Sequence, residues 1–155
     1  MKTNTALEVC QKCKAACCKL GGGDFSKSEM QKVLKAGYPN FFSKINNNHY
    51  ELKSKKGVCP YLAKDNSCNI HKVRPLMCKC WPVYLKFKDN KKQFFLIKCP
   101  LTPIFSKQDI KLMKKQANRI PKDIITTSLS NSKLPKSDIE LIEKRLKKFK
   151  RKLLK

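Results

Sequence analysis

Apolar and polar positions change rhythm several times along the chain, and each rhythm predicts an element. Residues 5–19 hold good helix formers and no Gly or Pro, so a helix is expected there, stopped by Gly21-Gly22-Gly23. Ser26 with Glu29 three residues later reads as a capping box opening a second helix. Met30, Val33 and Leu34 give that helix its apolar face, and Gly37 is its expected stop. Asn46-Asn47-Asn48 marks a loop, and Tyr50 and Leu52 alternate with polar neighbours as in a short strand. Asp65-Asn66-Ser67 reads as a turn. Residues 83–98 read as a β-hairpin, with Val83–Phe87 and Phe94–Ile97 on either side of a turn at Asp89-Asn90. Ser106 and Asp109 open another helix, which Pro121 stops. Residues 126–136 read as a linker. Ser137 and Glu140 form a further capping box, and the chain is expected to end in a helix. Its apolar positions Ile139, Ile142, Leu146, Phe149 and Leu153 step 3-4-3-4. The sum is an α+β fold, small and loop-rich, with short helices, a hairpin and C-terminal helices.

Cysteine changes the picture. The 155 residues include nine: Cys10, Cys13, Cys17, Cys18, Cys59, Cys68, Cys78, Cys80 and Cys99. None follows residue 99, so the chain is expected to divide into a cysteine-rich module, 1–103, and a basic helical extension, 104–155. On a continuous helix, Cys10, Cys13 and Cys17 would share a stripe about 60° wide, with Cys18 pointing about 100° away from Cys17. Adjacent cysteines so placed serve two metals, or two corners of one cluster, more easily than one tetrahedral ion. No apolar run reaches the roughly 20 residues of a membrane-spanning helix. The first residues lack the apolar stretch of a secretory signal, so a cytoplasmic chain with reduced thiols is expected. Clustered thiols in that setting bind zinc or iron–sulfur iron, for which thiolate is a soft, anionic match. Lys12, Lys14, Lys19, Lys72, Arg74, Lys79 and Lys98 lie beside them in sequence and would offset thiolate charge.

These residues carry a resemblance. C-x2-C-x3-C-C at Cys10–Cys18 is followed by Cys59-Pro60-Tyr61-Leu62 and by Cys68-Asn69-Ile70-His71. Arg74-Pro75, Cys78, Pro82 and Cys99 complete the pattern over about residues 10–100. The chain resembles the cysteine-cluster family described as a zinc- or iron-chelating domain, distantly related to flagellin lysine N-methylase. The resemblance implies a small domain held together by metal, with Cys10, Cys13, Cys17, Cys18, Cys59, Cys68, Cys78 and Cys99 as ligands. Two tetrathiolate zinc sites, one four-iron cluster with spare ligands, or two clusters would each fit eight cysteines. Cys80 falls outside the matched eight. His71 stands where the pattern has tyrosine, either as a polar replacement or as a ligand itself. Arg74 is expected to support the bound metal or cofactor by hydrogen bonding to sulfur or to backbone carbonyl. His49, in the Asn-rich loop, is expected to be solvated.

The resemblance leaves the activity open. A structural or redox-active metal is the first reading. An iron–sulfur-dependent methyltransferase acting on protein lysine is the second. Gly21-Gly22-Gly23 follows a helix rather than a strand, so it is no dinucleotide fingerprint.

Charge adds a third reading. Lys+Arg is 36 against 11 Asp+Glu, a formal net charge of +25. A basic nucleic-acid-associated module, or contact with an anionic membrane through the C-terminal helix, would use it. Lysine outnumbers arginine 32 to 4, which favours sequence-blind attraction over base readout by Arg forks.

Overall fold

The computed structural model describes residues 3–127 and 131–155. Helix α1 (Thr3–Lys12) leads into a 3-10 turn, Ala16–Lys19, and then α2 (Lys27–Lys35). Strands β1 (Phe42–Asn46) and β2 (His49–Leu52) form an antiparallel hairpin. A long irregular stretch reaches α3 (Leu76–Lys79) and the hairpin β3 (Val83–Lys88) and β4 (Lys91–Ile97). Helices α4 (Lys107–Ala117), α5 (Lys122–Thr127) and α6 (Lys136–Lys147) follow, and β5 (Arg151–Leu154) closes the chain. The fold is therefore α+β, with a two-stranded sheet and a three-stranded sheet in the order β3-β4-β5.

Local chemistry explains the elements that the sequence announces. Ser26 caps α2 by accepting from the Glu29 N–H, and the Glu29 carboxylate accepts from the Ser26 N–H, a reciprocal box. Ser106 and Asp109 repeat the arrangement at α4. Asp89 and Asn90 both take positive φ, 50° and 57°. Those angles suit a two-residue hairpin turn that follows the twist of β3 and β4.

Two apolar cores result. Phe25, Val33, Phe42, Leu52, Tyr61 and Ile70 form the first, between α2 and the β1-β2 hairpin. Val83 and Leu85 of β3 meet Ala117, Ile120 and Ile124 in the second, under α4 and α5. The cysteine-bearing loops lie against both. Cys59 and Cys68 pack on the first core, and Met77 and the buried Cys80 belong to the second.

Several expectations need correction. The first helix does not continue to residue 19. It ends at Lys12 because Lys14 and Ala15 take left-handed φ of 57° and 48°, which no helix tolerates. Part of the expected 126–136 linker belongs to α5, and residues 128–130 lie outside those described. Beyond them, Ser132 Oγ and the Lys133 N–H donate to the buried Glu51 carboxylate, both at 2.6 Å. Helix α6 starts two residues earlier than expected, with Pro135 at its N-cap and no side-chain cap, so Ser137 and Glu140 form no box. Nor does the helix reach the C-terminus. Arg151–Leu154 pair with β4 instead, and Leu153, expected on the helix stripe, is 52% exposed on a strand. The remaining stripe packs in cis. Ile142 is buried against Gly21 and Gly57, and Arg145 donates to the carbonyls of Lys19 and Lys56.

Candidate metal centre

The break after α1 sets the geometry of the first cysteine cluster. Cys10 lies on α1, Cys13 in the turn, and Cys17 and Cys18 on the 3-10 turn. The left-handed pair between them destroys the expected three-sulfur helix stripe and turns the double cysteine back toward the body of the protein. There the Cys59 N–H donates to the Cys18 carbonyl at 2.8 Å, joining the first cluster to the second. The 59–68 loop closes on itself through a bridge between Leu62 and Cys68. Cys78 rides on the single turn of α3.

Electrostatic proximity sorts the sulfurs. Every pairing among Cys18, Cys59, Cys68 and Cys78 is close enough for one thiolate to raise its neighbour's pKa. Burial is the larger cause: it pushes Cys59 up to about 12 and raises Cys68 and Cys78 as well. Cys10 is pushed up to about 11 by burial and then by Cys13, Cys18 and Cys99. Cys17 lies between the groups, near Cys18, Cys78 and Cys10. Its S–H donates to Cys18, which raises Cys17 and holds Cys18 below the ordinary thiol value. Arg74 and Lys19 lower Cys18 further.

Arg74 is the cation common to these groups. Its charge is felt at Cys10, Cys18, Cys68 and Cys78. The guanidinium is aimed by a 2.8 Å hydrogen bond from Nη1 to the His71 carbonyl. His71 itself is half-buried, and burial followed by the Arg74 charge pulls its imidazole below the ordinary value. Cys80 is fully buried in the second core, and its charged neighbours are Glu29 and Lys79, not the other thiols.

Three supporting features were not legible as such. The first is a glycine cradle. A Cβ on Gly23 would meet the Cys78 sulfur at 2.7 Å, and one on Gly22 would meet the Cys59 sulfur at 3.2 Å. Only glycine lets this strand of backbone lie against the two sulfurs. The second is the reach of Glu29. Besides closing its own capping box, it accepts from the Leu76 N–H at 2.7 Å, fixing the start of the turn that carries Cys78. The third is His49. It is fully buried rather than solvated, with Nε2 3.1 Å from the Asp24 carboxylate at the end of the glycine loop. Burial raises the Asp24 pKa more than the His49 bond lowers it. No sequence signal marked this pair, because Asp24 and His49 are 25 residues apart.

A family model for CxxCxxCC, described as "Putative zinc- or iron-chelating domain", matches residues 9–100. The chain belongs to this family. The CxxCxxCC stretch is more than half of the chain and holds all nine cysteines, the glycine loop and Arg74. Helices α4–α6 and strand β5 lie beyond it. No curated protein and no solved structure matches the chain.

The donors of the CxxCxxCC stretch fit a thiophilic metal. They are soft, mostly withdrawn from water, and overlooked by a cation. All nine cysteines are free thiols. Among the described residues, no three Cys, His, Asp or Glu side chains already stand closely enough to hold a metal ion. The sulfurs are near enough to shift one another's pKa, and binding would require them to draw closer. Among the described residues, no helix is long and apolar enough to cross a membrane.

Proposed function

We propose that this CxxCxxCC protein binds zinc or iron through two four-cysteine sets, and that the metal fastens its loops together. Cys18, Cys59, Cys68 and Cys78 form one set. Cys10, Cys13, Cys17 and Cys99 form the other, and Arg74 stands beside both as a charge partner. The observation that carries this reading is the mutual proximity of every sulfur in the first set. The second set gathers the remaining matched cysteines around Cys10, whose thiol neighbours are Cys13, Cys17, Cys18 and Cys99. Cys17 and Cys18 then serve different sites, which relieves the steric conflict of two adjacent residues on one tetrahedral ion.

A tetrathiolate zinc site carries a formal charge of about −2, which a neighbouring guanidinium partly offsets. Metal in the first set would tie the 3-10 turn to the 59–68 loop and α3, three segments with little regular structure of their own. Binding energy would then be folding energy.

Serine variants from each set test the partition. Cys68→Ser should remove the metal of the first set and leave the second loaded, and Cys99→Ser should do the reverse, read by elemental analysis of the purified variants. Cys80→Ala should leave the metal content unchanged. Loss of all metal from both Cys68→Ser and Cys99→Ser, with the variants still folded by circular dichroism, would contradict two separate sets.

A further inference from the structure

The three-stranded sheet has two unlike faces. Val83 and Leu85 point to the side where α4 and α5 pack. On the other side Tyr84, Phe95 and Leu153 are register partners across β3, β4 and β5, so their side chains leave the sheet together. Leu153 is exposed, and the two rings are half-buried. Lys86 lies opposite Gln93 in the next row of this face, and the exposed Lys88 and Lys91 pair beyond them at the hairpin end. Arg151 flanks the aromatic row from the edge strand, with its guanidinium 5.5 Å from the centre of the Phe95 ring. No register position on this face is acidic. Asp24 lies near Tyr84. Burial, and then the Arg151 charge, pulls the Lys86 pKa below its ordinary value.

Ile97, on the same face beside Arg151, is buried, so the face is open toward the hairpin turn. We propose that this open part of the face binds single-stranded nucleic acid. Adjacent rings on a flat strand surface offer bases a place to stack, and stacking is indifferent to sequence. Lys86, Lys88, Lys91 and Arg151 supply phosphate contacts around the rings. A duplex hides its base faces, so it could use the cations of this surface but not its rings. The residues of this surface lie on β3–β5, and none of them is a cysteine. The role of the basic C-terminus thereby moves from a helix to a strand.

The test is fluorescence anisotropy of the full-length, metal-replete protein with a labelled oligo(U) strand, its oligo(dT) counterpart, and a duplex of the same length. Single strands should bind more tightly than the duplex, and the tighter of the two identifies the preferred sugar. Phe95→Ala should weaken single-strand binding about fivefold or more. Arg151→Ala, at an exposed position that leaves folding intact, should lower the log–log salt slope by about 0.7 for each phosphate that is no longer neutralised. Lys115→Ala, on α4 across the sheet, should change the single-strand affinity much less than either. No binding at low salt would overturn the proposal. So would duplex affinity equal to single-strand affinity, or equal losses from Arg151→Ala and Lys115→Ala, because binding would then follow overall charge alone.

Discussion

At the scale of single residues, the site depends as much on what is missing as on what is present. Gly23 has no Cβ, and that absence leaves room for the Cys78 sulfur. Gly23→Ala should force Cys78 aside and weaken metal binding about tenfold or more, as changes to residues around metal ligands commonly do. A chelator competition titration reads this. Gly37→Ala is the control. Gly37, unlike Gly23, has positive φ, 87°, but a Cβ there meets nothing within 4 Å, so the variant should lose stability without losing metal affinity. Equal metal affinity of Gly23→Ala and the parent protein would contradict the cradle. The family was legible from the cysteine spacing, because a thiol carries its chemistry wherever it lies. The glycines were legible only as a helix stop, because the sulfurs they make room for belong to segments distant in sequence. His49 was misread for the same reason: an Asn-rich neighbourhood says loop, and only the fold buries the ring against Asp24.

At the scale of elements, local chemistry announced what local chemistry controls. The capping boxes at Ser26 and Ser106 and the Asp89-Asn90 turn all formed where their side chains required. The box at Ser137 did not, because Pro135 starts the helix two residues earlier and leaves Ser137 inside it. Strand β5 was hidden by an apolar stripe that fits a helix, and it forms because β4 offers an unpaired edge. Likewise, α1 stops early through two left-handed residues that no composition rule marks. The α4 box also makes a pH prediction. The Ser106 hydroxyl and N–H hold the Asp109 carboxyl below its ordinary value. A carboxylate whose folded pKa is depressed contributes stability that is present above its unfolded value of about 3.9 and is lost as the pH falls through the folded value. Ser106→Ala should therefore unfold more easily than the parent protein near neutral pH, because the cap is lost. That deficit should shrink in acid. Urea unfolding at several pH values measures it, and a deficit that grows in acid would show that the cap does not set the Asp109 pKa.

At the scale of the whole molecule, the chain is built from two modest cores joined by loops that carry the thiols. Helix α6 returns to the glycine loop through Ile142 and Arg145, and β5 returns to the second hairpin. The cysteine segments between the cores have few regular hydrogen bonds to hold them, which is where bound metal would matter most. Family membership was legible because it resides in cysteine order. Which thiols influence one another was not, because that depends on how the loops fold back between the cores. Whether metal fastens these loops is decided by elemental analysis of the protein purified without oxygen, alongside its absorption spectrum. Two four-cysteine sets predict about two zinc ions per chain, or iron with sulfide and absorbance near 400 nm. A folded protein with no bound metal and nine freely titrating thiols would contradict them.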